Sequence, residues 1–176
     1  SGGSGVVRAR RARSDDVVGV HALVAHYAAE GLLLPRSEDE IRAHIGRFLV
    51  LTDGSELLGC VALEPYGTDL AEIRSLAVAP GIRGRGLGTR LLRIALAAAR
   101  RRRIARVFAV THTPEFFGRQ GFAASTRWAV PEKLARDCRT CPKANHCDLV
   151  AVIATVCPER VALPVLAAAA KTAPAV

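Results

Sequence analysis

The chain has 176 residues, half of them hydrophobic, and its 25 Lys and Arg against 16 Asp and Glu give a formal charge of +9. That length suits one domain with a proper core; the mean hydropathy of +0.21 excludes a disordered chain, and no window approaches the roughly 18 unbroken apolar residues of a membrane span. The excess charge suits an anionic partner, but aromatics are only 5%, too few for the stacking platforms of a single-strand binder, so neither nucleic acid nor a membrane is the expected partner.

In chain order, SGGSG at 1–5 reads as a tag remnant or disordered start and is set aside. Residues 6–12 form the first expected strand, and Ser14-Asp15-Asp16 supplies an N-cap with acidic residues at the positive end of a helix over 15–30. That helix aligns Val17, Val20, Leu23, Val24 and Tyr27 on one face and stops at Gly31. Ser37 with Glu40 is a capping box opening a short helix to about 45. FLVLTD, the turn Asp53-Gly54 and ELLGCVALEPY read as a hairpin, and LAEIRSLAVAP as a strand stopped by Pro80. From Gly86 the period becomes helical, with Leu87, Leu91, Ile94 or Ala95, and Ala98 on one face and Arg100 to Arg103 at the C-terminal end. ARVFAVT is a strand; Thr113, Pro114 and Gly121 then bracket a short helix. Two more strands are expected over 122–130 and 149–156, separated by a cysteine-bearing insert at 131–148, and 157–176 is an Ala/Pro-biased tail. The resulting fold class is α+β: helices packed against a sheet, with the strand-to-helix step at 78–88 in the position where such sheets bind ligands.

Five cysteines, four of them late, do not form the pattern of a small secreted disulfide scaffold. No secretory leader is apparent, so a reducing, cytoplasmic setting is expected.

The step at 78–88 carries the sharpest signal. Backbone N–H groups and the positive dipole end make a helix N-terminus an anion site, and glycines let the backbone approach the anion. The dinucleotide fingerprint fails because Gly88 is followed by Thr89 and no acidic residue lies about 20 residues on; the P-loop fails because there is no Gly-Lys-Ser/Thr. What remains is Arg83-x-x-Gly86-x-Gly88 between a strand and a helix.

This pattern, together with EFFGRQGF further on, resembles the acetyl-CoA signature of the GNAT superfamily of N-acetyltransferases over residues 6–156. The resemblance implies a single GNAT domain: a central mixed, mostly antiparallel sheet of about seven strands flanked by about four helices. It implies acetyl-CoA as co-substrate, its pyrophosphate on the backbone of Arg85, Gly86, Leu87, Gly88 and Thr89, flanked by Arg83 and Gly84. Pantetheine would lie along Leu76, Ala77 and Val78, where that strand splays from the one at 106–111, and near Phe116 and Phe117. The N–H of Val78 would receive the acetyl oxygen as an oxyanion donor.

A narrower resemblance rests on EIRSLAV, FFGRQGF and PEKLARDCRTCPKANHCD, which are similar to the short, stand-alone N-acetylglutamate synthases. Pro131, Lys133, Asp137, Cys138, Cys141, Cys147 and Asp148 match; Leu149 stands where Glu is expected. It implies acetylation of the α-amine of glutamate, with glutamine an open alternative, as the first step towards arginine. A substrate with two carboxylates wants fixed cations. Arg74, on the strand beside Ser75, is the first candidate and Lys133 the second. The attacking ammonium must lose a proton; Glu72, two residues from Arg74, is the candidate base, or else the partner of Arg74, with His112 as the alternative base. The tyrosine that commonly serves as general acid in the superfamily is replaced by Phe117, so no general acid is assigned. Cys138, Cys141, Cys147 and His146 have the residue types of a zinc site but not its paired spacing, so loop-packing thiols and no metal are expected. The alternatives are a GNAT enzyme acting on another amine or a protein terminus, and a zinc-clipped basic nucleic-acid module. A homodimer is left open.

Overall fold

A computed structural model describes residues 5–125 and 148–161. Among these residues the elements run β1 (Val7–Arg11), α1 (Val17–Ala29), α2 (Glu38–Ala43), β2 (Phe48–Asp53), β3 (Glu56–Tyr66), β4 (Leu70–Val78), α3 (Leu87–Arg101), β5 (Arg106–Thr111), α4 (Pro114–Gly118), β6 (Ala123–Ser125) and β7 (Val150–Thr155). The strands follow the order β1-β2-β3-β4-β5-β7-β6 in one mostly antiparallel sheet. This is the α+β class that the alternation of periods predicts. The described residues fall into two compact units, one running to Glu64 and resuming over Glu72–Ala97, the other comprising Pro65–Ala71 and the described residues from Ala98 on.

In the first unit β2 pairs with β1 (Ala9 opposite Leu51) and with β3 (Val50 opposite Cys60). The hairpin closes on Gly54, whose φ of +58° suits a residue without Cβ. α1 buries Val17, Val20, Leu23, Val24 and Tyr27 against Phe48, Val50, Cys60, Ala62 and Ala77, as its spacing predicts. Its start differs from expectation. Ser14 is not the cap: a 3-10 turn at Ser14–Asp16 precedes α1, with Arg13 in the cap position of the turn and Asp16 in that of the helix. The Asp16 carboxylate accepts the Arg13 N–H at 2.7 Å and two bonds from the Arg10 guanidinium at 2.7 and 3.0 Å. A serine hydroxyl has no such charged partner to win with. The Arg10 bonds, with the Arg13 N–H, outweigh burial and hold the Asp16 carboxyl below the usual range.

α2 opens as expected, with Ser37 Oγ accepting the Glu40 N–H at 3.1 Å. It ends at Ala43, short of the expected 45, because Ile45–Arg47 tighten into a 3-10 turn. On α3, Leu87, Leu91, Ala95 and Ala98 are buried, so Ala95 rather than Ile94 occupies the inner face.

In the second unit β7 lies between β5 (Phe108 opposite Ile153) and β6 (Ala124 opposite Val152). Tyr66, Leu70, Phe108 and Ala151 form its core, with Tyr66 and Phe108 edge to face at 5.4 Å. Pro114 starts α4, and Gly121 at φ +91° follows it. Of the strand expected over 122–130, Ala123–Ser125 are described as β6.

Candidate active site

β4 is a buried strand with an irregularity at Ser75. That residue has φ +52° inside a strand and is 8% exposed. A left-handed serine costs about 1–2 kcal/mol, and such strain persists where surrounding contacts over-determine it. Before the irregularity lie Glu72 and Arg74, two residues apart and therefore on one face. Glu72 is buried, and its Oε1 is 3.7 Å from Arg74 Nε. The two charges thus face each other, as their spacing allows. After the irregularity come half-buried Leu76 and Val78 flanking buried Ala77. Ala79 donates its N–H to Leu58 C=O at 2.8 Å, towards β3. Strand alternation therefore turns the N–H of Val78 away from β3.

β3 supports β4 closely. A Cβ on Gly59 would lie 2.9 Å from Ala77 O and 2.8 Å from Leu91 Cδ1. Side chains have no room at this position, so glycine lets strand, strand and α3 meet.

Three charged residues missed in the sequence complete this region. Arg36 and Glu64 side chains are almost wholly buried, with Nη2 of Arg36 2.9 Å from Glu64 Oε1. Arg47 reaches the other oxygen, Oε2, at 2.7 Å. Arg36 Nη1 donates to Ser75 Oγ at 3.4 Å, and its guanidinium lies 5.2 Å from the Phe48 ring centre. Burial pushes the Glu64 carboxyl up, but the Arg36 charge and the hydrogen bonds from Arg47 and Arg36 outweigh it, so the carboxyl sits below its usual range and is ionised. The signal available in the sequence was Glu64 itself, a lone acid inside the apolar run GCVALEPY.

The turn that follows β4 has Pro80–Ile82 as a 3-10 turn, then Arg83, then Gly84 and Gly86 at φ +86° and +73°. Residues 83–86 are exposed. The N–H of Arg90 makes the first helical bond of this end, to Gly86 C=O. The N–H groups of Leu87, Gly88 and Thr89 consequently have no intrahelical acceptor. A diphosphate fits this donor set. Tyr27, also missed as a site residue, donates its hydroxyl to Val78 C=O at 2.5 Å and carries the Arg83 guanidinium over its ring at 5.5 Å.

In the second unit, His112 is exposed and lies 3.6 Å from an Asp148 carboxylate oxygen. Phe117 is buried between Phe116 and Phe122, with ring centres 5.3 Å apart in both cases. Lys133, Cys138, Cys141, His146 and Cys147 lie outside the described residues.

The sequence profile of the acetyltransferase (GNAT) family matches residues 16–122, from the start of α1 to the end of the segment after α4. The chain belongs to the GNAT family. Among relatives of this GNAT chain, an uncharacterised N-acetyltransferase of Chlorobaculum tepidum is 37% identical over 147 residues, 84% of this chain and 95% of that one. An amino-acid acetyltransferase of Neisseria meningitidis is 35% identical over 80% of this chain but only 33% of its own length. Among solved structures, the N-acetylglutamate synthase of Neisseria gonorrhoeae, complexed with coenzyme A and N-acetyl-glutamate, matches with a TM-score of 0.78 and 31% identity, covering 88% of this chain and 36% of that one. The GNAT chain thus spans about a third of the length of the Neisseria proteins it resembles.

Proposed function

We propose that this GNAT chain transfers the acetyl group of acetyl-CoA to the α-amine of L-glutamate, or of L-glutamine, the reaction that opens arginine biosynthesis. That it is an acetyl-CoA-dependent N-acetyltransferase follows from its family; the amino-acid acceptor is the proposal, supported by the Neisseria relatives, of whose length it spans about a third. The observation that carries it is Arg74, a cation on β4 immediately before the Ser75 irregularity and two residues from buried Glu72. An amino acid requires a fixed cation for its carboxylate, and a guanidinium matches a carboxylate bidentately. A polyamine would be repelled by it. The similarity to the gonococcal synthase supports glutamate in particular.

Chemically, the ammonium form of the substrate gives a proton to Glu72, the amine nitrogen attacks the thioester carbonyl carbon, and the oxygen gains charge against the N–H of Val78. The C–S bond then breaks, its electron pair leaves on the CoA thiolate, and the second proton given up by the attacking nitrogen goes to that thiolate, leaving the neutral amide and CoA thiol. His112 is the alternative base. Arg83 and the backbone of Gly84 to Thr89 hold the diphosphate, with Leu76 and Ala77 along pantetheine and Ser75 on the amino-acid side; the family resemblance adds Lys133 as a substrate residue and Phe116 and Phe117 as cofactor residues.

The test follows CoA release from acetyl-CoA with a thiol reagent, offering glutamate, glutamine, spermidine or no acceptor. Turnover is expected with glutamate or glutamine, and Arg74→Ala lowers kcat/KM by about 10- to 100-fold, the worth of a lost charged hydrogen bond. No turnover with either amino acid, while acetyl-CoA still raises Tm, discards the substrate and keeps the cofactor site.

A further inference from the structure

Tyr27 does more than fill the core. Its ring packs with Leu23, Val24 and Ala77 and is 6% exposed, a role that phenylalanine would serve equally well. Its hydroxyl, however, reaches the last residue of β4, and the face of the same ring carries the exposed Arg83 guanidinium. The two contacts bracket the segment from Val78 to Arg83, which is closed internally by the Ile82 N–H on Ala79 C=O at 3.1 Å. The two positive-φ glycines begin immediately beyond it.

We propose that Tyr27 is a positioning residue for the phosphate site: it fixes the end of β4 and presents Arg83 so that this guanidinium and the N–H groups at the start of α3 converge on the diphosphate of acetyl-CoA. The inference rests on the reading that acetyl-CoA occupies this turn. Glycine-rich backbone loses more freedom on ordering than any other, and a long arginine adds its own rotamers. Tethering the segment at both ends before the ligand arrives removes part of that cost from the binding step. A guanidinium lying on an aromatic face keeps its edge N–H groups free for phosphate oxygens.

Calorimetric Kd values for acetyl-CoA test this on the full chain. Tyr27→Leu, which removes both contacts, weakens binding about tenfold, and Tyr27→Phe, which keeps ring and core volume, about threefold. In a double-mutant cycle with Arg83→Ala, the Tyr27→Leu and Arg83→Ala losses are expected to overlap, so that the double variant binds more tightly than the product of the two losses. Tyr27→Leu also flattens the salt dependence of Kd, a change that general destabilisation would not give. Full additivity, or unchanged Kd in the Tyr27 variants while Arg83→Ala weakens binding, overturns the role of Tyr27 and leaves the turn as the phosphate site. Unchanged Kd in both Arg83→Ala and Gly86→Val overturns the reading of the turn and the inference with it. If Tyr27→Leu does not fold, Tyr27→Phe decides: a threefold loss supports the tether and an unchanged Kd refutes it.

Discussion

At Glu64 two arginines share one carboxylate, and the geometry makes each partner costly to lose. Removing one member of a buried pair leaves the other charged in a poor solvent, at about 3–5 kcal/mol. Glu64→Gln is therefore expected to lower the unfolding free energy by about 3 kcal/mol in urea titrations at neutral pH, whereas Arg36→Met combined with Glu64→Leu recovers much of the loss. The pH dependence has a definite sign. Glu64 is more acidic in the folded protein than in the unfolded chain, so its stabilisation is complete above the unfolded value of about 4.3 and is lost as pH falls through the lower, folded value. The stability gap between wild type and Glu64→Gln should accordingly narrow only in acid, below about pH 4. A gap that narrows instead between pH 6 and 8 would refute this assignment. None of this was legible residue by residue, because partners 28 and 17 residues away leave no periodic trace.

The elements were far more legible than their charges. The hairpin ends at Phe48–Asp53 and Glu56–Tyr66 fall where Asp53-Gly54 and the apolar runs place them, since a turn residue and a burial pattern are local properties. The start of α1 was misplaced because the Asp16 carboxylate, held by Arg10 on β1, closes a 3-10 turn ahead of the helix. Gly59 belongs to the same level. In the sequence it is one glycine among 15; in the fold it is the contact between β3, Ala77 and Leu91. Gly59→Ala should cost about 1–3 kcal/mol, as overpacking does, with a lowered Tm. Because the methyl group presses on the backbone of Ala77, acetyl-CoA affinity should fall as well. An alanine variant with wild-type Tm and affinity would show that α3 yields at no cost. The irregularity at Ser75 left no mark in EIRSLAV, which reads as uninterrupted strand, because its conformation is imposed by the strand's surroundings and not by its own residue type.

For the whole molecule, the formal charge of +9 gains meaning from the ligand's own charge. A polyanionic co-substrate approaching a cationic protein is steered by the long-range field, and that field is screened within about 8 Å at physiological salt. Raising NaCl from about 20 mM to 0.5 M should slow acetyl-CoA association in stopped-flow measurements at least about tenfold while leaving kcat little changed. Salt-independent association would show that local contacts alone govern capture. The contact between Tyr27 and Val78 spans 51 residues of chain, which bears on the birth of the protein. During synthesis α1 leaves the ribosome well before the strand end that will accept its hydroxyl, and α3 comes later still. The nascent chain can bury the ring early, but it acquires a finished cofactor turn only once the later segment has folded back, so competence to bind acetyl-CoA marks a late stage of its maturation.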